Sequence, residues 1–462
     1  MLNFSRIPIP TQADQVTEAH LNILLFDVDG VLIDDRGYRA GVVATINHFA
    51  ALMGCGNCAP SVAHIEAFHA HGYTNEWDIC PLAIGALVLS ALRAQPDFEL
   101  APAPLEAFLA QFRSISVAPI DYAAWVAATR DRPGHPAARA LAMLNEALAQ
   151  LPVAEATRAA VAAALAELLR DPYDFPQAKI TQVFQEYVLG SSLFEEVYRL
   201  RPRFDAPSFL YDEDRAALSA SARTTLLDLV AAGAASVCVY TARPSLPPSD
   251  IVNWLADGAH APLGFSPEAE LALQRIELGE VPLIAMGRMQ WLAEQVGTKV
   301  EYLTKPAPVQ ALAAILAAVS RREAEALRAA YRLLSEGELS GALTQLVGRS
   351  LEVWVVEDAT LGVHAALGAI DLLRKHAIDV RLRAVGVSNP GPKADALLSV
   401  CEVVLPSVNA AIAYVADCIR AQSSASTDVQ SPALASEGRH QPPSPRVGGF
   451  REMPPTGSNS PL

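Results

Sequence analysis

Carboxylate pairs follow two of the apolar segments in this chain, at the positions where buried strands would end. Asp27 and Asp29 follow the segment ILLF, and Glu357 and Asp358 follow VWVV. A buried charge is costly unless it is paired or holds a metal ion. Taken alone, each pair could simply end a strand in solvent or cap the next helix. The alternative is that these four carboxylates are placed there for chemistry.

A hydroxyl group and an ammonium group occupy similar positions elsewhere in the sequence. Thr241 follows the apolar segment VCVY, and Lys305 follows VEYLT just before a helix that opens with Pro306 and Pro308. Ligands of open α/β sheets bind at the carboxyl ends of the strands. If the four apolar segments are neighbouring strands, we expect Thr241, Lys305 and the four carboxylates to converge at one edge of the sheet.

Such a cluster has a definite chemical use. Four carboxylates cannot lie together uncompensated, and oxygen ligands in a small site suit Mg²⁺ as the compensating cation. A metal ion, an ammonium group and a hydroxyl group together can hold a phosphoryl group, and a carboxylate can be the nucleophile that accepts it. The sequence therefore favours phosphoryl transfer, which needs positioning and charge neutralisation above all.

The elements that must position these residues follow an α/β pattern. Short apolar segments alternate with helical segments, which predicts an α/β fold with a doubly wound, mostly parallel sheet. The block after the first strand is instead rich in Ala and Leu with helical spacing, so we expect an inserted all-helical domain. The expected division is a core of residues 1–35 and 206–419 and a helical domain of residues 36–205.

The last segment, residues 420–462, has a different composition. It contains 7 Pro, 8 Ser and 4 Gly among its residues and a single aromatic side chain. A segment of this composition cannot bury enough apolar surface to offset the entropy of ordering. We therefore expect residues 420–462 to be a disordered tail.

Four motifs give the chain a family resemblance. The segments DVDGV (residues 27–31) and EDATLG (residues 357–362), together with Thr241 and Lys305, resemble in their order the four motifs of the haloacid dehalogenase (HAD) superfamily. The resemblance covers residues 21–35 and about 220–415 and implies a Rossmann-like core. It also implies that the inserted helical block is the cap domain that one subgroup carries after its first motif.

The resemblance implies roles for the residues that match the motifs. Asp27 would attack phosphorus and become an aspartyl phosphate. Asp29 would protonate the leaving oxygen and later deprotonate the hydrolytic water. Thr241, with the adjoining Ala242, and Lys305 would bind the phosphoryl oxygens, and Lys305 would also orient Asp27.

The same resemblance implies a magnesium site. Asp27, the backbone carbonyl of Asp29, Glu357 and Asp358 would hold the ion. Family members that displace halide from carbon lack the second aspartate of the first motif. The presence of Asp29 therefore favours a magnesium-dependent phosphatase that acts on a small phosphorylated metabolite.

A polar cluster in the helical block could contact the substrate. Asn75, Glu76 and Trp77 lie between helical segments, in the sequence TNEWD. They are candidates for binding the leaving group of the substrate. The competing interpretation is that Asn75 caps a helix and Trp77 packs against its neighbours.

Two cysteines in the helical block suggest a second kind of site. Cys55 and Cys58 form a C-x-x-C pair, with His64, His69 and His71 downstream. Zinc sites use such ligands, but the second pair lacks a regular spacing, so a structural loop is the favoured interpretation.

Two alternatives to a phosphatase stay open at this stage. A phosphomutase of the same fold would return the phosphoryl group to substrate, and a non-catalytic HAD-like protein would only bind a ligand. The net charge of −15, without a basic patch, argues against nucleic acid or a membrane as partner. The six cysteines are too few and too scattered for a disulfide framework, and residues 1–20 lack the apolar stretch of a signal peptide, so a cytoplasmic location is expected.

Overall fold

The computed structural model describes residues 20–114, 117–252, 254–255 and 260–428. The strands in these residues are β1 (Leu21–Phe26), β2 (Ile33–Asp34), β3 (Arg215–Ala216), β4 (Ser236–Tyr240), β5 (Leu283–Ile284), β6 (Ser350–Glu357), β7 (Asp379–Val387) and β8 (Val403–Leu405). The sheet has six parallel strands in the order β5-β4-β1-β6-β7-β8. The predicted doubly wound α/β fold is confirmed.

The helices of the first half of the chain are α1 (Arg36–Leu52), α2 (Val62–Ala70), α3 (Glu76–Ala94), α4 (Leu105–Ala110), α5 (Tyr122–Ala127), α6 (Pro136–Ala149), α7 (Glu155–Leu168), α8 (Lys179–Leu189), α9 (Ser191–Tyr198) and α10 (Phe209–Asp212). All described elements between β2 and β3 are helical, including a 3₁₀ helix at Gln111–Ser114. Strands β2 and β3 pair as a short antiparallel ribbon. This ribbon brings the two ends of the helical block together beside the sheet.

The remaining helices flank the sheet. They are α11 (Ala220–Ala231), α12 (Glu268–Arg275), α13 (Met286–Val296), α14 (Pro308–Ser320), α15 (Glu323–Glu336), α16 (Thr360–Lys375), α17 (Pro392–Leu398) and α18 (Val408–Asp428), with 3₁₀ helices at Val300–Tyr302 and Gly341–Leu346. Helix α18 continues beyond the predicted boundary of the tail at residue 420. The rest of the predicted tail, residues 429–462, lies outside the described residues.

The central strands are buried on both faces, as their apolar sequences predict. Successive side chains of a strand point to opposite faces of the sheet. In β1, Ile23 and Leu25 join a core cluster that also includes helices of the helical block, whereas Leu24 and Phe26 join the cluster under α11, α12 and α18. Two hydrophobic layers therefore fix the end of β1, and with it the first aspartate that follows.

Helix α3 combines length with an apolar composition. It has 19 residues and a mean hydropathy of 1.5, and by these criteria alone it could cross a membrane. In this structure 78% of that apolar window is buried inside the protein. Helix α3 is therefore a core helix of the helical block.

One predicted strand is wrong. The segment VEYLT before Lys305 forms a 3₁₀ helix at Val300–Tyr302 and not a strand. Helix α14 begins at Pro308, so Lys305 lies in the short loop between these two helices. The position of Lys305 therefore has to be explained by contacts other than strand pairing.

Candidate active site

The ammonium group of Lys305 lies between two carboxylates at the carboxyl edge of the sheet. Its Nζ is 2.6 Å from Oε1 of Glu357 and 3.1 Å from Oδ1 of Asp27. It also lies 3.8 Å from the ring centre of Tyr240. Burial lowers the pKa of Lys305, but the charges of Asp27 and Glu357 outweigh this effect and leave the pKa above its usual value. Lys305 therefore stays a cation.

A buried glutamine brings the Lys305 loop to the sheet. Gln310, on the first turn of α14, accepts a hydrogen bond from the backbone N–H of Lys305 at 2.9 Å. Its amide nitrogen donates to the backbone carbonyls of Thr241 at 2.9 Å and Ile284 at 3.3 Å. Gln310 is fully buried, so these bonds are shielded from water. They place Lys305 at the ends of β4 and β5 although no strand leads to it.

The two carboxylates after β6 have different partners. Burial raises the pKa of Glu357 to about 8, with Lys305 lowering it and Asp27 raising it. Burial also raises the pKa of Asp358 to about 6, and Lys393 lowers it through an ion pair with Oδ2 of Asp358. Lys393 lies near the start of α17, beyond the end of β7. It therefore adds a cation to the rim of the site.

Two glycines provide the space that these carboxylates occupy. A Cβ atom on Gly30 would lie 2.1 Å from Oδ2 of Asp358, and one on Gly362 would lie 1.7 Å from Oε1 of Glu357. Real Cβ atoms do not approach oxygen so closely, and Gly30 also has a φ of +72° that side-chain-bearing residues rarely adopt. The glycines of the DVDGV and EDATLG motifs are thus a steric requirement of this site.

Three carboxylates are close enough to hold one metal ion. Asp27, Glu357 and Asp358 each offer an oxygen, and these oxygens lie within 4.8 Å of one another. Among the described residues, Oε2 of Glu357 is buried without a hydrogen-bond partner, and the buried Oδ1 of Asp27 is paired with Lys305 Nζ at 3.1 Å. Buried oxygens of this kind suit a hard cation, and the donor set fits Mg²⁺.

Asp29 does not belong to this group of three. Its carboxylate is bound by Arg243, with Nε 2.8 Å from Oδ1 and 3.0 Å from Oδ2. Burial raises the pKa of Asp29 to about 7, although Arg243 lowers it. The side chain of Asp29 is thus held apart from the other carboxylates, which leaves its backbone carbonyl for the predicted metal role.

The phosphoryl-binding candidates on β4 also lie at this edge. Thr241 directly follows β4 and is buried, whereas Ala242 is exposed. Oγ1 of Thr241 accepts a hydrogen bond from the backbone N–H of Arg243 at 3.2 Å, which leaves its hydroxyl hydrogen for another acceptor. Because β1 lies between β4 and β6, Thr241 flanks Asp27 on one side and Glu357 flanks it on the other.

The candidates in the helical block divide into packing residues and one acidic residue. Oδ1 of Asn75 caps α3 by accepting from the backbone N–H of Trp77 at 3.0 Å. Trp77 is 5% exposed and donates through Nε1 to Gln185 at 3.2 Å. Tertiary packing takes up the indole ring of Trp77 in this structure, and its contact with substrate stays a prediction. Asn75 has the structural role of a helix cap.

Glu76 is the first residue of α3 and is partly buried. Burial raises its pKa to about 8, and the charges of Asp35, Asp29 and Glu268 raise it further. Glu76 remains a candidate for substrate binding.

The cysteine pair does not form a metal site in the described residues. The one cluster of three or more potential ligands there is the carboxylate group described above. Burial raises the pKa of Cys55 to about 11 and also raises that of Cys58, so both thiols stay protonated. His64 serves in the capping of α2 with Ser61. The loop interpretation of the sequence stays a prediction, and so does the zinc alternative.

Three charged residues of the site were not predicted from the sequence. Arg243 lies two residues after Thr241, and Lys393 follows the strand β7, so a search for charged residues just beyond strand ends could have found both. Asp214, which binds Arg243 at 2.9 Å, precedes the short strand β3 and carries no such signal. Its contact with Arg243 arises only from the tertiary fold.

Comparison with known proteins supports the fold alone. No family model matches the chain, and no curated protein does. An X-ray structure described as target ZR25 of the Northeast Structural Genomics Consortium is 14% identical, with a TM-score of 0.56, and the match covers 87% of this chain and 100% of that one. "Phosphatase Tt82 from Thermococcus thioreducens" is 17% identical over 81% of this chain and 98% of its own, with a TM-score of only 0.36. At these identities, the first match shows a similar fold and nothing about function. The TM-score of the second match is too low to support an argument about the fold.

The glycine of the second carboxylate motif provides a stability test. Alanine normally stabilises a helix interior by about 0.5–1 kcal/mol relative to glycine. We expect Gly362→Ala, in α16, to lower the free energy of unfolding by roughly 1–3 kcal/mol instead, because its methyl group would displace buried Glu357. Urea denaturation measures this change. Gly56→Ala is the control, because a Cβ there has no heavy atom within 4 Å. A Gly362→Ala protein as stable as wild type would contradict the steric argument.

The partly buried Glu76 carboxyl predicts a pH-dependent stability. Its folded-state pKa of about 8 lies above the ordinary value of 4.5, so the folded state binds the proton more tightly than the unfolded state does. Stability from this group is complete below pH 4.5 and is lost as the pH rises through 8. Glu76→Gln should therefore reduce the fall in melting temperature over this range.

The matched control for Glu76 is another first-turn glutamate. Glu155 begins α7 as Glu76 begins α3, but its side chain is 89% exposed. Glu155→Gln should leave the pH dependence of the melting temperature as in wild type. Identical pH profiles for wild type and Glu76→Gln would show that Glu76 is not held in a desolvated position.

Proposed function

We propose that this chain is a magnesium-dependent phosphatase of the HAD type that acts on a small phosphorylated metabolite. The observation that carries the proposal is the position of Lys305 between Asp27 and Glu357, with Asp358 completing a group of three carboxylates. One nucleophilic carboxylate, one fixed cation and one site for a metal ion thus meet at the carboxyl edge of the sheet. This set suits a dianionic phosphoryl group.

The proposed metal site rests on the chain's own oxygen atoms. Asp27, Glu357 and Asp358 would hold Mg²⁺, with the backbone carbonyl of Asp29 as a further ligand. The ion would supply positive charge that offsets the carboxylates and the phosphoryl oxygens. Gly30 and Gly362 keep the space for two of these carboxylates free.

The first chemical step transfers the phosphoryl group to the protein. A carboxylate oxygen of Asp27 attacks phosphorus while the bond from phosphorus to the leaving oxygen breaks. Asp29 gives its proton to that oxygen, so the leaving group departs as a neutral alcohol. Lys305 and Thr241 bind the phosphoryl oxygens, and Lys305 also holds Asp27 in line for attack.

The second step restores the protein. Water attacks phosphorus of the aspartyl phosphate, and Asp29, now a carboxylate, accepts the proton of that water. The bond between phosphorus and the oxygen of Asp27 breaks, which releases inorganic phosphate and regenerates both aspartates. Glu76, at the start of α3, would contact the leaving group of the natural substrate.

Metal removal tests the proposed cofactor. Phosphate release from a panel of phosphorylated metabolites should vanish with a chelator, because the carboxylate cluster then repels the dianionic substrate. It should return with added MgCl₂ but not with NaCl at equal ionic strength. Calcium should substitute poorly, because it prefers more ligands and longer distances than magnesium does. Full activity in the presence of the chelator would contradict the proposed metal dependence.

Substitution of the proposed nucleophile tests the covalent route. Asp27→Asn keeps the shape of the side chain but removes the attacking charge, so kcat should fall by orders of magnitude. Asp228→Asn, an exposed aspartate on α11, is the control and should leave kcat unchanged. Circular dichroism should show the wild-type fold for both variants. Near-wild-type turnover by Asp27→Asn on any substrate would exclude attack by Asp27.

A further inference from the structure

Arg243 is a buried cation held by two carboxylates from distant parts of the chain. Its Nη2 lies 2.6 Å from Oδ1 of Asp29 and 2.9 Å from Oδ2 of Asp214. Nε also donates to both carboxylate oxygens of Asp29, so two nitrogens of the same guanidinium group bind this carboxylate. Such a two-point contact fixes the orientation of a carboxylate as well as its distance.

The partners of Arg243 are themselves immobilised. Asp214 is buried, and its second oxygen accepts the backbone N–H of Gly37 at 2.8 Å. The ring of Tyr38 lies against the guanidinium face, 4.8 Å from its carbon to the ring centre. The hydroxyl of Tyr38 donates to Glu268. Arg243 is thus held at its edge by carboxylates and on its face by an aromatic ring.

Glu268 connects this arrangement to the helical block. Its Oε1 accepts from Gln185 on α8 at 2.8 Å and from Ser266 at 3.0 Å. Gln185 in turn accepts from Trp77 on α3 and donates to the hydroxyl of Tyr198 at 3.1 Å. Hydrogen bonds thus link Trp77 to Tyr38 through Gln185 and Glu268, and the contact of the Tyr38 ring with Arg243 completes the path to Asp29. Buried hydrogen bonds of this kind hold the ring of Tyr38 in a fixed position.

We propose that Arg243 is a positioning residue that aims the carboxyl group of Asp29 at the leaving oxygen, braced by Asp214 and by Tyr38 with Glu268. This inference rests on the proposed phosphatase activity. Arg243 would act through Asp29 and not directly on phosphorus or on the leaving oxygen. Its side chain is 1% exposed, and two carboxylates already occupy its Nε and Nη2.

The test is the dependence of kcat/KM on the leaving group, measured with a series of phosphate monoesters from para-nitrophenyl phosphate to alkyl phosphates. An activated phenol leaves without a proton, whereas an alcohol needs the acid. Arg243→Lys keeps the positive charge but loses the contact of two nitrogens with the Asp29 carboxylate. It should lower kcat/KM for alkyl phosphates about 10²-fold or more, the usual contribution of a general acid. Its effect on para-nitrophenyl phosphate should stay within a few-fold.

Arg288 provides a matched structural control. It is also a buried arginine of the same core, bound by Glu323 at 3.1 Å, by Glu270 and by the carbonyl of Leu246. It does not contact the proposed reacting carboxylates. Arg288→Lys should lower the melting temperature as Arg243→Lys does, but it should reduce kcat/KM by one common factor for all leaving groups.

Two milder variants test the brace where Arg243→Lys fails to fold. Asp214→Asn weakens one anchor of Arg243, and Tyr38→Phe keeps the ring but removes the hydroxyl bond to Glu268. Each should give a smaller loss with the same selectivity for poor leaving groups. A uniform loss across the series in all three variants would overturn the inference while leaving the phosphatase proposal intact. Absence of phosphate release by wild type from every ester would overturn the proposed function, and the inference with it.

Discussion

The contact of Lys305 with Asp27 and Glu357 is the interaction on which the rest of this site depends. Three carboxylates within 4.8 Å of one another would repel strongly in a buried position. The ammonium group offsets part of that charge, and it can do so only because Gln310 ties its loop to the ends of β4 and β5. The same cation would then meet the phosphoryl group. In the proposed function, one side chain would thus serve both charge balance in the folded protein and the binding of a dianion.

Among the described residues, two arginines are buried, and each is held by a pair of carboxylates. Arg288, with Glu270 and Glu323, joins helices that flank the sheet, and neither of its carboxylates belongs to the proposed site. Arg243, with Asp214 and Asp29, has the same design, but one of its carboxylates lies in the candidate active site. Removal of one partner from such a pair leaves an uncompensated buried charge, which is strongly destabilising. An arginine bound by two carboxylates therefore fixes the orientation of Asp29, and the same kind of ion pair joins helices elsewhere in the core.

Sequence reasoning located the strand ends because those strands are apolar on both faces. Segments such as ILLF and VWVV match a buried parallel sheet, and the polar residues that follow them had to lie at its edge. The motif predicted that Lys305 lies with the carboxylates, and its ammonium group does lie beside Asp27 and Glu357, but its local structure was predicted wrongly. A short apolar segment such as VEYLT does not distinguish a strand from a 3₁₀ turn, and the contacts of Gln310 decided the outcome.

The long-range contacts of Asp29 and Trp77 could not be predicted in this way. Arg243 and Asp29 are 214 residues apart, and Asp214 lies in a segment with no strand or helix signal. Trp77 matched a polar cluster in sequence, yet its indole N–H was taken up by Gln185 on another helix. Contacts of this kind follow from how the helical block lies against the sheet, which local periodicity does not encode.

The central claim is that Asp27 accepts the phosphoryl group, and the most direct measurement is a search for that adduct. Wild-type protein would be mixed with a phosphorylated substrate and Mg²⁺, quenched in acid within one turnover, digested and analysed by mass spectrometry. Transfer to Asp27 predicts a phosphoryl group on the peptide that contains Asp27, and its loss on treatment with hydroxylamine, as for an acyl phosphate. Rapid phosphate release with no modified peptide, or with the group on another residue, would contradict attack by Asp27.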